Sequence, residues 1–189
     1  MKNPGLIAGF LPLVVYGILT GPGVTSVMIA LAAAFIATIF TGWGDLRKGM
    51  ILSWANLALF GFLLVIIGVL GAHWVVPYMS ILVYAALAAV TFGSMAAHSP
   101  FTLQYARGMV DPSLWDKPAF IRVNYLMTGV WGGVFSLNAL LSAIALTLPS
   151  ASGILIPALT YGVLAAGILF TIWYPGYLKR KGIAGSGSF

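Results

Sequence analysis

Cysteine and glutamate are absent from this 189-residue chain, and its only acidic residues are Asp45, Asp111 and Asp116. Without cysteine, the chain can form no disulfide, no thiolate nucleophile and no cysteine-ligated zinc or iron–sulfur site. Its two imidazoles, His73 and His98, are not part of a zinc-binding His-Glu-x-x-His pattern, and no glycine-rich phosphate loop accompanies the aspartates. We therefore expect no catalytic residues, no metal site and no cofactor, and a protein that is not an enzyme.

Charge is also scarce, because 6% of the residues are charged and 61% are hydrophobic. A soluble domain has about a quarter of its residues charged. A small domain leaves a large share of its residues at the surface, so this chain could not keep a polar surface in water. The sequence therefore predicts a membrane protein. Its net charge of +6 is more simply explained by anionic lipid headgroups than by nucleic acid, and we expect no nucleic-acid partner.

Apolar runs separated by short glycine- and proline-rich or charged breaks predict an all-α fold, a bundle of six transmembrane helices in one domain. The predicted spans cover about residues 5–20, 24–43, 50–70, 74–97, 123–148 and 154–174. Residues 98–122 form the single long connection, in which Ser99-Pro100 and Asp111-Pro112 each favour the start of a short helix. Residues 175–189 are predicted to be a basic, flexible tail.

With six spans, all nine lysine and arginine residues fall on one side of the membrane. They are Lys2, Arg47, Lys48, Arg107, Lys117, Arg122, Lys179, Arg180 and Lys181. Lysine and arginine near span ends are retained on the cytoplasmic side. Both termini and the 98–122 loop are therefore predicted to be cytoplasmic, and His73 and His98 lie on opposite faces.

Two spans carry polar or aromatic side chains three and four residues apart, a spacing that places them on one face of a helix. The stripe on the fifth span includes Asn124, Thr128, Trp131 and Asn138, and the weaker one on the fourth includes Tyr84, Thr91 and His98. Such faces turn toward the interior of a membrane bundle. Two interpretations remain open: the stripes line a polar pocket or path, or they form the interhelical hydrogen bonds that fix packing.

The 98–122 loop combines aromatic rings with basic residues, which suits the headgroup region of a membrane. Phe101 and Trp115 are its candidate interfacial anchors. Arg107 and Arg122 could hold a lipid phosphate or the carboxylate of a protein partner in a bidentate manner. In the alternative interpretation, these arginines follow the positive-inside bias and pair with the nearby aspartates.

The segment 99–107, SPFTLQYAR, with the following aromatic and proline residues and Asn124, Thr128, Trp131 and Asn138, resembles the second half of the intracellular septation protein A-like bacterial inner-membrane proteins. The resemblance covers about residues 99–145 and does not extend to the first four spans. It implies a small multi-pass protein of the bacterial inner membrane, linked to envelope synthesis and septation through protein partners. It supplies no catalytic residue.

These observations favour a non-enzymatic inner-membrane protein, a cell-envelope or septation-associated interaction component. The expected partners are anionic lipid headgroups, envelope or division proteins, and a second copy of the chain. The alternative function is a small-solute transporter or channel lined by the polar faces of the fourth and fifth spans. No carboxylate or lysine lies within the predicted apolar core to compensate a transported ion.

Overall fold

The computed structural model describes residues 5–148 and 153–181, and every regular element in those ranges is helical. The α-helices are α1 (Gly5–Gly9), α2 (Leu11–Leu19), α3 (Val24–Arg47), α4 (Ile51–Leu64), α5 (Met79–Ala96), α6 (Phe101–Arg107), α7 (Pro118–Thr147) and α8 (Leu155–Arg180). A π-helical turn, Val65–Val69, extends α4, and the 3-10 segments His73–Tyr78 and Pro112–Leu114 precede α5 and α7. The prediction of an all-helical chain is confirmed.

Five stretches of the described chain are long and apolar enough to cross a membrane. They are Val24–Arg47, Ile51–Val69, His73–Ala96, Pro118–Thr147 and Leu155–Leu178, and they correspond to the second to sixth predicted spans. These apolar helices indicate insertion in a membrane.

The first predicted span differs from the other five. Its described part consists of α1 and α2, which are five and nine residues long and are separated at Phe10. Pro12 stands in the first turn of α2, a position that suits the start of a new helix. At 1.5 Å per residue, nine residues rise about 14 Å, whereas the hydrocarbon core is about 30 Å thick. The structure thus shows five long helices and not the predicted six.

Three helices continue beyond their predicted ends. α3 runs to Arg47 instead of residue 43, α7 begins at Pro118 instead of residue 123, and α8 runs to Arg180 instead of residue 174. Apolarity marks only the part of a helix in the hydrocarbon, while long basic side chains allow the same helix to extend into the headgroup region. Sequence hydropathy therefore underestimates these lengths.

Two prolines, Pro77 and Pro157, lie inside predicted spans, and neither breaks its span. Pro77 lies in the 3-10 segment His73–Tyr78, which continues directly into α5, so that His73–Ala96 forms one span. Pro157 is the third residue of α8, where a missing backbone N–H costs no intrahelical hydrogen bond. It therefore does not break the sixth span.

The chain divides into two compact units, residues 1–86 and 87–189. In the first unit, α3 packs against both α2 and α4. The contact between α3 and α4 is close at Gly61, where an added Cβ would lie 3.0 Å from the Phe35 ring. Tyr16 of α2 and Phe60 of α4 are buried, and their ring centroids are 5.9 Å apart.

Asn56 joins α4 to the break between α1 and α2. It is 2% exposed, and its Nδ2 donates to the carbonyl oxygen of Gly9 over 2.9 Å. The last carbonyls of a helix have no intrahelical partner, so this side chain stabilises the end of α1. Asn56 is not among the predicted site residues, because a single amide in an apolar run produces no spacing pattern.

In the second unit, α7 packs against both α6 and α8. The approach of α8 to α7 is close at Gly167, where an added Cβ would lie 3.2 Å from Val134 Cγ2 and 3.4 Å from the Trp131 ring. Small residues at such positions let membrane helices pack tightly. The 98–122 connection lies in this unit and is held against α7 by α6.

Candidate functional site

The connection between α5 and α7 is a folded elbow, here defined as residues 99–120. Its first helix, α6, starts directly after Pro100, which serves as its N-cap without a side-chain hydrogen bond. Its second element, the 3-10 turn Pro112–Leu114, is capped by Asp111, whose Oδ1 accepts from the backbone N–H of Ser113 over 2.9 Å. Helices therefore start next to both predicted proline residues, with Asp111 as a cap as predicted. Ser99 does not cap α6, and the Phe101 N–H donates to Ser94 Oγ instead.

The Asp111 carboxylate is fully exposed, yet its surroundings favour the charged form. A hydrogen bond from the Ser113 hydroxyl, followed in weight by one from the Ser113 backbone N–H, holds the pKa of Asp111 below its ordinary value. Asp111 therefore stabilises the turn that it caps. The role of Asp111, one of the two acidic residues in the elbow, is thus explained by this cap and requires no ion pair with an arginine.

A small apolar core holds the elbow together. Leu103, Ala106 and Phe120 are buried in contact, with Val110 and Trp115 packed against them. Phe101, one of the predicted anchors, is 1% exposed. Its ring thus lies inside the unit and not at the surface, because the residue opens α6 on the face that packs against the protein. Of the four candidate binding residues, Trp115 and Arg107 are half-buried and Arg122 is exposed.

Arg107 and Trp115 form the central pair of the elbow. The guanidinium carbon of Arg107 lies 5.5 Å from the centroid of the Trp115 ring, and Trp115 Nε1 donates to the Arg107 carbonyl oxygen over 3.2 Å. The Nε of Arg107 is buried and has no hydrogen-bond partner. Within the described ranges, neither Asp111 nor Asp116 forms an ion pair with Arg107. The pairing alternative for Arg107 is therefore not observed.

Two further cation–aromatic pairs lie at helix ends. The guanidinium carbon of Arg47 is 5.1 Å from the Trp43 ring centroid at the end of α3. Lys181 Nζ is 5.1 Å from the Tyr177 centroid at the end of α8. All three pairs occur on segments predicted to be cytoplasmic. Aromatic rings beside basic groups are typical of the membrane–water interface.

The α7 stripe is buried: Asn124, Thr128, Trp131 and Asn138 are each at most 2% exposed. Its first half, at the start of α7, is tied to the elbow by Thr102. The Thr102 hydroxyl lies 2.8 Å from the Asn124 carbonyl oxygen, to which it donates, and 2.7 Å from Thr128 Oγ1. Asn124 Nδ2 donates to the Phe120 carbonyl oxygen over 2.9 Å. This half of the stripe therefore fixes packing.

Further along α7, Trp131 is also bonded. Its Nε1 donates to Thr171 Oγ1 of α8 over 3.0 Å. Asn138 differs, because neither its Oδ1 nor its Nδ2 has a hydrogen-bond partner although the residue is 0% exposed. A buried amide without partners is unfavourable by about 1–3 kcal/mol. Hydrogen bonding within the protein therefore explains the polar side chains at the other positions of the stripe but not the amide of Asn138.

The stripe on α5 is only partly continuous. Tyr84 and Thr91 are buried, and the Thr91 hydroxyl donates to the Leu87 carbonyl oxygen of its own helix over 2.7 Å. His98 lies beyond the end of α5, is exposed, and has a φ of 56°. The helical spacing therefore does not extend to His98. Left-handed backbone is more common for histidine than for most residues and here reverses the chain toward α6.

A pocket that no sequence pattern indicated lies in the first unit. It has a volume of about 350 Å³ and lies where α2 ends and α3 begins. Its walls include the hydroxyl-bearing residues Tyr16, Thr20 and Ser80 and the apolar residues Val27, Val76 and Met79. No periodic pattern could have revealed it, because its residues come from two separate stretches of the chain, 16–27 and 76–80. Among the described residues, no three metal-ligating side chains come together.

Comparison with known proteins gives no relative for this chain. No family model matches it, and no curated protein and no solved structure matches it significantly.

Proposed function

We propose that this chain is a non-enzymatic integral membrane protein that binds the phosphate of anionic lipid headgroups at its elbow. The observation that carries the proposal is the half-buried Arg107, whose Nε is buried and has no hydrogen-bond partner in the protein. A buried donor on a charged group is unfavourable unless an acceptor compensates it, and an anion is the strongest acceptor for a guanidinium. Because neither aspartate of the elbow pairs with Arg107, the compensating anion comes from outside the protein.

The chemistry of the site favours a phosphate. Arginine presents a planar fork of donors that matches phosphate oxygens in a bidentate manner. Trp115 orients the guanidinium through ring stacking, and the indole itself prefers the headgroup depth of a membrane. Exposed Arg122, in α7 against which α6 packs, adds positive charge to the same unit.

A native mass spectrum of the protein, released from nanodiscs of phosphatidylglycerol and phosphatidylcholine, tests this assignment. Arg107→Ala is expected to weaken phosphatidylglycerol retention about 10-fold or more, because a charge-assisted hydrogen bond contributes about 1.5–3 kcal/mol. Arg107→Lys should weaken it as well, since lysine lacks the fork. Arg122→Ala should have a smaller effect.

Arg47→Ala is the matched control, because Arg47 also stacks on a tryptophan but is exposed. Unchanged lipid retention in Arg107→Ala, or an equal loss in Arg47→Ala, would refute the headgroup site. Loss of a co-purifying protein while lipid retention stays unchanged would instead assign the arginine to a protein carboxylate.

We further propose a place in the bacterial inner membrane and a cell-envelope or septation role, which rest on the resemblance of residues 99–145. A fluorescent fusion should accumulate at the division site. A uniform distribution around the dividing cell would contradict the septation role.

We also propose that both termini are cytoplasmic, so that α1 and α2 together complete a sixth crossing. The support is the charge distribution: this topology places Lys2 on the same side as the other eight basic residues.

Transport remains the second candidate function, and the unpartnered amide of Asn138 is the observation that favours it. An uncharged solute passing along α7 would provide the missing hydrogen bonds. A flux assay in liposomes with Asn138→Leu and Thr128→Val tests this function. Flux that either substitution abolishes would support a path along the stripe, whereas absence of flux in the unmodified protein would exclude it for the solutes tested.

A further inference from the structure

We propose that the first-unit pocket binds an uncharged molecule whose ester or amide carbonyl accepts a hydrogen bond from Tyr16. This site is separate from the elbow and does not depend on the proposed headgroup function. It lies at the end of α3 opposite to Arg47, between the α2–α3 turn and the 3-10 segment before α5.

The Tyr16 hydroxyl is the feature that points to a ligand. The residue is 2% exposed, and its phenol oxygen is buried without a well-formed hydrogen bond, although the hydroxyls of Thr20 and Ser80 lie beside it. The Tyr16 ring is fixed by packing on Phe60. The hydroxyl therefore cannot turn away to solvent, and an acceptor that enters the pocket would satisfy it.

The lining determines the class of ligand. The pocket contains no charged residue, and its walls combine three hydroxyls with the apolar side chains of Val27, Val76 and Met79. A carboxylate or phosphate would be desolvated there without a compensating cation, which is unfavourable. A ligand with a neutral carbonyl group and an otherwise apolar structure would accept hydrogen bonds from the hydroxyls and pack against the apolar side chains. The pocket volume of about 350 Å³ is within the range of small-molecule sites.

The rim of the pocket is held in place by its own hydrogen bonds. Ser26 Oγ lies 3.0 Å from the carbonyl oxygens of both Pro22 and Gly23, and the backbone N–H of Thr20 donates to the Tyr16 carbonyl oxygen over 2.9 Å. Gly23 has a φ of 98°, which a residue with a side chain rarely adopts. The turn thus keeps the pocket open without a ligand, which lowers the entropic cost of binding.

The carbonyl could belong to a membrane lipid or to a water-soluble molecule, and a competition experiment separates these sources. The probe is 1-palmitoylglycerol with a photoreactive diazirine in its acyl chain, crosslinked to the full chain in nanodiscs. Unlabelled 1-palmitoylglycerol should compete, whereas 1-O-hexadecylglycerol, which lacks the carbonyl, should compete about fivefold less, the effect of one neutral hydrogen bond. Competition by triacetin at equal aqueous concentration would assign the site to a soluble ester.

Tyr16→Phe should reduce saturable crosslinking about fivefold without loss of thermal stability, because the removed hydroxyl has no well-formed bond in the protein. Ser80→Phe should abolish crosslinking by filling the pocket. Tyr161→Phe, which removes the same atom from an exposed tyrosine, is the control and should leave crosslinking unchanged. Equal competition by the ester and the ether, or crosslinking unaffected by Tyr16→Phe, would overturn the proposal.

Discussion

The bond between Thr102 and Thr128 provides a quantitative test of how the elbow is attached to the membrane helices. Thr102 is 1% exposed and Thr128 is 0% exposed, and their hydroxyl oxygens are 2.7 Å apart. Valine has nearly the same shape as threonine, so Thr102→Val and Thr128→Val remove hydroxyls and leave little cavity.

The expected change in the free energy of unfolding depends on which hydrogen-bond partners remain after each substitution. Thr102→Val removes two bonds, but the Thr128 hydroxyl can then donate to the Asn124 carbonyl oxygen one turn earlier in its own helix, an acceptor that Thr102 has vacated. Interhelical hydrogen bonds in membrane proteins average about 0.6 kcal/mol and reach about 1.7. We therefore expect a coupling energy of about 0.6 kcal/mol and a cost of about 1 kcal/mol for Thr102→Val alone.

Reversible unfolding in mixed detergent micelles measures the four corners of this double-mutant cycle. Thr41→Val is the control, because the Thr41 hydroxyl is bonded to the Ala37 carbonyl oxygen of its own helix at an exposed position, and its loss should change stability by less than about 0.5 kcal/mol. Strictly additive effects of the Thr102 and Thr128 substitutions would refute a direct bond between the elbow and α7.

Further substitutions test individual groups. Asn138→Leu should raise the free energy of unfolding by about 1 kcal/mol, since it removes two unpartnered amide atoms; lower stability in the same detergent unfolding assay would show that the amide is satisfied in the membrane. Asn56→Ala should lower it by about 1–2 kcal/mol through loss of the bond to Gly9, and an unchanged value would contradict that bond. For Asp111, a folded-state pKa below the ordinary 3.8 means that the capped turn is favoured above about pH 4 and weakens as pH falls through the lowered pKa. Carboxyl NMR titration measures this midpoint, and a value at or above 3.8 would contradict the cap.

The sequence predicted the features that depend on composition and spacing. Low charge and long apolar runs predicted six spans, and five of them are long helices among the described residues. Ser99-Pro100 and Asp111-Pro112 predicted where helices start in the elbow. The face shared by Asn124, Thr128 and Trp131 is buried, as three-and-four spacing implies. These properties are local, so the order of residues along the chain is sufficient to predict them.

The properties that the sequence did not predict depend on contacts between distant segments. Asn56 bonds to Gly9, and the pocket beside Tyr16 joins residues 16–27 to residues 76–80. Phe101 is buried, although its aromatic character equally suits an interface. The first apolar run is about as hydrophobic as the others, but the break at Phe10 divides its described part into two short helices. Spacing alone could not distinguish these outcomes.

The location of the amino end tests the central claim of one-sided charge most directly. Because the chain contains no cysteine, single cysteines at Lys2, Lys48, His73 and Ser188 can be labelled with a membrane-impermeant maleimide in intact cells and in inverted vesicles. We predict that Lys2→Cys, Lys48→Cys and Ser188→Cys react only in inverted vesicles and that His73→Cys reacts in intact cells. Reaction of Lys2→Cys in intact cells would show that α1 and α2 do not complete a crossing and would contradict the placement of all nine basic residues on one side.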